Sequence, residues 1–301
     1  MFVKQAQPKP VLNNDNKRAQ VEHCKMFINL ECHIFNNMYD VVHVDEKWFY
    51  ITKAQRQYYL TINKELPQQN VWNKRYITKV MFLCALARPC WDTRRNQYFD
   101  GKIGIWPFTT EEEAQRTSRN RPAGTKYTKV MDSVGKKEYR QFLTQKVVPA
   151  IKEKWPECHK HMHIRIQQDN ARPHIAADDT AFLEAASDTG LDIGLFCQPP
   201  NSPDLNVLDL GFFNAMQSLQ QQSACRTVDK LVAAVMTSFQ ELETRKLNNV
   251  FLTLQKVMET IILRNGGNDY KIPHMSKQRL ERNGELPVSI VVSDELFAKL
   301  Q

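Results

Sequence analysis

Three aspartates stand where a strand or a helix would present a carboxylate to a shared site. Asp45 lies within VVHVDEKWFYI (41–51), Asp169 closes MHIRIQQDN (162–170), and Asp209 comes early in the segment that follows PPNSPDLN. A charge inside such a strand costs free energy unless it is paired or holds a metal. An acid at the end of a strand occupies the edge from which α/β proteins present active groups. Three carboxylates within a few ångströms would raise one another's pKa values unless divalent cations neutralised them. Mg²⁺ and Mn²⁺ prefer oxygen donors, and a few carboxylates leave coordination positions open for water and phosphate oxygens. Two such ions roughly 3.5–4 Å apart can activate a nucleophile and stabilise the leaving oxygen of an in-line displacement. A plainer reading is open on the same residues, since a chain of 301 residues carries many acids that are simply solvated or salt-bridged.

The charge balance points to a polyanionic partner. The net charge is +8, and the 25 residues from Arg116 to Arg140 hold eight basic side chains (Arg116, Arg119, Arg121, Lys126, Lys129, Lys136, Lys137, Arg140) against Asp132 and Glu138. Such a surplus suits nucleic acid, although a solvated lysine-rich surface would look the same. With 42% hydrophobic and 10% aromatic residues the chain can bury a core, so wholesale disorder is not expected. No apolar run approaches the roughly 18 to 20 residues that span a bilayer, and MFVKQAQPKPVLNN lacks a secretory apolar block, so no membrane partner is expected. Seven irregularly spaced cysteines make poor disulfide material and suit free thiols. Cys158, His159, His161 and His163 crowd into ECHKHMH and offer zinc donors, but no second pair stands at zinc-finger spacing. Solvated histidines on the way into the Asp169 strand account for that cluster.

The elements that must position the acids follow from periodicity. Helical spacing covers 13–30 and 137–153, a further helix is expected over 174–187, another from about Val207 to Gln222, and more over 228–264. Alternating β-branched and aromatic residues predict a strand at 41–51, a partner at 57–62 and a largely buried third strand at 76–87, joined as a meander. Two more strands are expected at 162–170 and 191–198. The stretch 88–135 is irregular, rich in proline and glycine, and holds one short strand candidate, KIGIWPF; its basic content reads as a DNA-facing insertion. The pattern is mixed α/β and matches a ribonuclease-H-like core: a five-stranded mixed sheet flanked by helices, with the basic insertion after the third strand.

VHVDEKWFY (42–50), QQDNARPH (167–174) and QPPNSPDLNVLDLGFF (198–213) together resemble, in order, the signature blocks of the mariner branch of the Tc1/mariner transposase superfamily. Asp45 and Asp169 stand 124 positions apart, and 39 residues separate Asp169 from Asp209. That separation with aspartate as the third acid, together with GKIGIWPF and SRNRPAG, resembles the plant-type mariner-like subgroup. The resemblance runs from about residue 9 to 270.

It implies a metal-dependent DNA transposase that hydrolyses phosphodiesters at transposon ends and joins the freed 3′ ends to target DNA at TA. Asp45, Asp169 and Asp209 match the catalytic metal ligands, with two Mg²⁺ ions per site (Mn²⁺ substituting) and Asp45 bridging them. Asp204 is then a turn or cap residue, and Glu46, on the opposite face of its strand, a salt-bridge partner. Asn170 and His174 match the second block and are expected to order the site or contact a phosphate; a helix cap and an ordinary polar histidine are as fitting. Lys74 and Arg75, with Trp72, fall in the region that reaches a partner subunit in mariner relatives and are candidates for DNA or dimer contacts, as Arg116, Arg119, Arg121, Lys126 and Lys129 are for DNA. The resemblance further implies double-stranded DNA as partner, a homodimer and a nuclear location.

Domain organisation follows the same comparison. Residues 1–35 resemble the linker and helix that follow a helix-turn-helix region, which has no counterpart here; 36–265 form the catalytic domain with 88–135 as its insertion; 266–301 are a C-terminal tail. The missing recognition region leaves a second function in view, a catalytically inactive, host-retained DNA-binding protein derived from a transposase. A ribonuclease H or other nuclease of the same fold is a third, disfavoured by the SPDLN block.

Overall fold

A computed structural model describes residues 9–51, 78–118, 121–223 and 225–300. Helix α1 (Asn14–Lys25) starts where the Asn13 side chain accepts a hydrogen bond from Asn16 N at 2.7 Å, and it leads into a short hairpin, β1 (Ile28–Asn29) and β2 (Ile34–Phe35). Strands β3 (Val41–Tyr50), β4 (Lys79–Ala87), β5 (Cys90–Asp92), β6 (Gln97–Phe99), β7 (Lys102–Pro107), β8 (Thr109–Glu113) and β9 (Lys126–Val130) follow. Helices α2 (Lys136–Phe142) and α3 (Val148–Lys154) are joined by a π-type turn, Leu143–Val147. The remainder runs β10 (Ile164–Gln168), α4 (Thr180–Ser187), β11 (Ile193–Cys197), α5 (Phe213–Gln220), α6 (Val228–Glu241), α7 (Thr244–Leu263), α8 (Lys277–Arg282) and α9 (Asp294–Leu300).

Among the described residues the central sheet has five strands in the order β11-β10-β3-β4-β7. β3, β4 and β7 are antiparallel neighbours, whereas β10 lies parallel to both β3 and β11. This is the mixed five-stranded sheet the sequence implies, with one strand exchanged. β3 pairs directly with β4, Asp45 opposite Cys84, so no strand stands between them as a 41–51, 57–62, 76–87 meander would require. Residues 57–62 lie outside the described residues. The third antiparallel strand is β7, the short KIGIWPF candidate inside 88–135, and the basic hairpin β8/β9 comes after it. Gly104 and Pro107 weaken its signal in the sequence, and both are tolerated because β7 is an edge strand among the described residues. Gly104 is also required by packing, since a Cβ there would sit 2.3 Å from the Trp106 ring.

Alternation sends β3 side chains into two cores. Val42 and Val44 join Leu83, Ala85, Ile164 and Ile166 beneath α2–α4, where Tyr139, Leu143, Ile151 and Phe182 close the layer. Val41 and Phe49 join Phe82, Cys84 and Leu86 under α5–α7. Residues beyond 266 are part of this second core: Ile290, Val292 and Leu296 are buried in it, and Phe35 N donates to Ile290 O. Arg88, 1% exposed, pins the end of β4 to both, donating to Asn248 Oδ1 at 3.0 Å, Asn37 O at 2.7 Å and Val288 O. All seven cysteines are free, and no helix among the described residues is long and apolar enough to cross a membrane.

His43 is a polar side chain buried in the second core. It packs edge-on against Phe251, and neither ring nitrogen has a hydrogen-bond partner among the described residues. Burial, with the charges of His23 and Arg165 added, pushes its pKa down to about 3. The folded chain therefore keeps His43 neutral while the unfolded chain protonates it near 6.5. Stability from this site is intact above the unfolded value and declines as pH falls below it, by about 1.4 kcal/mol between roughly pH 7.5 and 5.5. His43→Leu removes that dependence. Urea unfolding at the two pH values should show the wild type losing about 1.4 kcal/mol more than the variant. Equal losses would mean that His43 takes up its proton in the fold.

Candidate functional site

Asp45 leaves β3 on the face that carries α5–α7, at the point where β10 ends beside it. Its Oδ1 accepts from Glu46 N at 2.8 Å, and its Oδ2 lies 3.5 Å from Asn206 Nδ2. Asn206 is fully buried and bonds both ways: Nδ2 donates to Val44 O at 3.3 Å, and Oδ1 accepts from Leu208 N at 3.0 Å. One side chain thus fastens the SPDLN loop to the strand that holds Asp45. Gln167 fastens it to β10, its Nε2 donating to Leu205 O at 2.9 Å and Gln198 Oε1 at 3.0 Å.

Asp209 sits in a π-type turn, Leu208–Phe212, that leads into α5. Buried Leu208, Phe212 and Phe213 anchor the turn and leave the carboxylate at the surface, with Oδ1 3.6 Å from Lys47 Nζ. π-type insertions of this kind recur at functional sites because the extra residue re-aims a side chain without unpicking the helix. Asp169 follows β10 directly. Its Oδ1 accepts from Ala171 N at 2.8 Å and from His174 Nδ1 at 2.8 Å, leaving Oδ2 outside these bonds.

Each acid has a different charge environment. Burial first, then the charges of Asp209, Glu46 and Asp169, hold the Asp45 carboxyl well above the usual range. The hydrogen bond from His174 draws Asp169 below that range, against burial and with help from Ala171 N–H. At His174 burial opposes the charged form, but hydrogen bonds to Asp169 and Glu46 outweigh it and carry the pKa up to about 10. The donor set is hard oxygen, and the upward shift at Asp45 is what a bound dication would reverse. Among the described residues, however, no three His, Cys, Asp or Glu side chains stand close enough to hold an ion as they are.

The other sequence candidates divide. Asn170 caps no helix; its Nδ2 donates to Gln198 O at 2.6 Å and braces the end of β10 against the loop after β11. His174 precedes the helix expected to contain it, since α4 begins at Thr180 behind the Asp179 cap. Glu46 pairs with that histidine at 3.1 Å. Asp204 lies in a 3₁₀ turn, Pro203–Leu205, and accepts from Tyr270 OH at 3.0 Å. The ECHKHMH cluster disperses: His159 stacks on Tyr39, His163 pairs with Asp192 at 2.9 Å, and Cys158 lies against Trp91 O.

Of the basic stretch, Arg116, Arg121, Lys126 and Lys129 lie in the β8/β9 connection and on β9, whereas Lys136, Lys137 and Arg140 belong to α2; the first strand of the hairpin carries Glu111, Glu112 and Glu113 across from β9. Lys129 is tied to Glu112 at 3.0 Å, and Arg121 lies over the Tyr127 ring at 3.8 Å, while Arg116 and Lys126 are exposed. Trp72, Lys74, Arg75 and Arg119 lie outside the described residues. Sequence reasoning passed over Asn206, Gln167 and Tyr139. Asn206 had a signal, as a buried amide inside the SPDLN block, whereas the other two gave none.

No family model and no curated protein sequence matches this chain. Solved structures do. The chain is similar to a pre-cleavage Mos1 transpososome at 16% identity and TM-score 0.62, over 90% of this chain and 68% of that one. It is similar to the Mos1 mariner paired end complex with Mn at 16% identity and TM-score 0.60, again over 90% and 68%. The catalytic domain of Mos1 mariner transposase matches at 15% identity and TM-score 0.54, over 88% of this chain and 100% of that one. At these identities the likeness establishes the fold: the described residues have the ribonuclease-H-like arrangement of the Mos1 catalytic domain.

Proposed function

We propose that this chain is the catalytic domain of a mariner-type DNA transposase, which cuts DNA and joins 3′ ends to a target with the help of divalent cations. The observation that carries this reading is that Asp45 within β3, Asp169 just after β10 and Asp209 in the π-type turn before α5 lie near enough to interact: burial first, then the charges of Asp209, Glu46 and Asp169, raise the Asp45 pKa. The fold shared with Mos1 supports it, as do the Mn and Mg forms in which Mos1 structures are described. Asp45, Asp169 and Asp209 are the residues that would hold Mg²⁺ or Mn²⁺, two ions per site. The bound ions would supply Lewis acidity to a scissile phosphate and balance the charge of the acids. Asn206 and Gln167 keep the turn bearing Asp209 against the two strands, and His174 holds Asp169. The β8/β9 hairpin offers Arg116, Arg121 and Lys126 to DNA phosphates, contacts that position a duplex without reading its sequence. A three-aspartate site of the plant-type mariner-like kind, a homodimer, a TA target and a nuclear location complete the reading.

Supercoiled plasmid incubated with the full chain in Mg²⁺ or Mn²⁺ should be nicked, and Asp45→Ala, Asp169→Ala and Asp209→Ala should each lower the rate by more than about a hundredfold. Nicking that survives Asp209→Ala but not Asp204→Ala would move the third ligand to Asp204. DNA that is bound in low salt yet never cut would leave a DNA-binding protein derived from such an enzyme. For the hairpin, Arg121→Ala and Lys126→Ala should weaken binding equally on unrelated duplexes. Each should reduce the slope of log K against log salt by about 1 per lost phosphate contact, with a smaller effect from Lys129→Ala. A loss confined to particular sequences, or none, would refute the phosphate role.

A further inference from the structure

The imidazole of His174 lies between two carboxylates from different strands. Nδ1 is 2.8 Å from Asp169 Oδ1 and 3.0 Å from Asp169 O; Nε2 is 3.1 and 3.3 Å from the two oxygens of Glu46. Glu46 belongs to β3 and Asp169 follows β10, so the ring ties the strands together past the last residue pair of their ladder, Gln167 and His43. Both neighbours are acceptors, so the ring donates from both nitrogens.

The ring is also held flat. Tyr139 of α2 stacks on it with centroids 4.2 Å apart and planes 21° from parallel. The Tyr139 hydroxyl donates to Gln168 Oε1 at 3.0 Å, and Gln168 Nε2 donates to Ile175 O at 2.6 Å, so strand, helix and loop all fix the orientation. Tyr139 is fully buried and His174 is 8% exposed, which leaves little room for another rotamer.

We propose that Glu46 and His174 are positioning residues: a Glu46–His174–Asp169 bridge, clamped by Tyr139, fixes the carboxylate of Asp169 so that its free oxygen, Oδ2, is offered to a divalent cation. This rests on reading Asp45, Asp169 and Asp209 as metal ligands. It adds that the acid next to Asp45 in sequence serves the site from the opposite sheet face, through a histidine, without touching the ion. Partners that orient a ligating carboxylate in this way are commonly worth ten- to a hundredfold in metal affinity or activity.

The test is Mn²⁺ binding by calorimetry to the full chain, with thermal unfolding recorded for each variant and Asp45→Ala as control. His174→Ala should weaken Mn²⁺ binding by about ten- to a hundredfold, and Glu46→Ala by about tenfold. Glu46→Gln should stay within about threefold of wild type, because its amide oxygen still accepts from Nε2–H. In the nicking assay, the Mn²⁺ concentration for half-maximal rate should rise in parallel while the rate at saturating Mn²⁺ holds within about threefold. If His174→Ala unfolds, Glu46→Ala and Glu46→Gln carry the test.

Unchanged Mn²⁺ affinity in His174→Ala and Glu46→Ala, with binding lost in Asp45→Ala, would overturn the bridge and leave the metal site standing. So would a fall in saturated rate at constant Mn²⁺ dependence. A wild-type chain that binds no Mn²⁺, or an Asp45→Ala variant that binds as well as wild type, would overturn the metal reading and the bridge together.

Discussion

Four carboxylates crowded onto one end of a sheet cannot all stay charged unless positive charge is placed among them. In this protein the compensation is unequal, and that inequality organises the site. Asp169 and Glu46 share the imidazole of His174. Asp209 has the ammonium of Lys47 at 3.6 Å, weakly placed and open to solvent. Asp45 receives only the Glu46 N–H and an amide nitrogen at the outer limit of hydrogen bonding. The most buried of the acids is the least compensated, and so it bears the upward pKa shift. A divalent cation held by these acids would relieve that imbalance.

Holding like charges together needs a rigid frame, and the two cores provide it. The sheet is covered on both faces, so β3 can tilt toward neither side without opening one of them. The approach of the third acid depends on polar side chains with no water to fall back on. Asn206 and Gln167, both 0% exposed, anchor the SPDLN loop to β3 and β10. A buried amide that loses its partner costs roughly 1–3 kcal/mol, so these bonds discriminate strongly against a displaced loop. The π-type turn at Leu208–Phe212 completes the frame by burying Leu208 and Phe212 while turning Asp209 outward.

Much of this was legible in the sequence, for identifiable reasons. Strands with strong alternation or dense apolar content (β3, β4, β10, β11) were found because burial on one or both faces writes itself into the residue pattern. Strand β7 gives a weaker signal because Gly104 and Pro107 interrupt its apolar pattern, which an edge strand tolerates. Along the chain, 88–135 has the charge pattern of a single basic insertion. Charge acts through space, and the hairpin sets Glu111–Glu113 opposite the basic strand. The three acids could be nominated from motif order. The bridge through His174 could not, since it depends on Glu46 and Asp169, 123 positions apart, converging on one ring.

On the reading proposed above, packing separates Asp204 from Asp209 as candidate third acid. Both lie in the same short block, and charge alone does not separate them. Asp204 is on the far side of the 3₁₀ turn, its Oδ2 engaged by the Tyr270 hydroxyl beside Lys9, which stacks on the same ring. Burial and the Asp204 carboxylate together push the Tyr270 hydroxyl pKa far upward, as expected for a phenol kept protonated to donate to a charged acceptor. Between Asp204 and Asp45 stand Leu205 and Asn206, both completely buried. Bringing Asp204 to Asp45 would turn that segment inside out. It would expose Leu205, strip the Gln167 and Asn206 amides of their partners and break the bond to Tyr270. Asp209 needs none of this, because the turn that carries it already points its carboxylate toward the side of the sheet on which Asp45 lies.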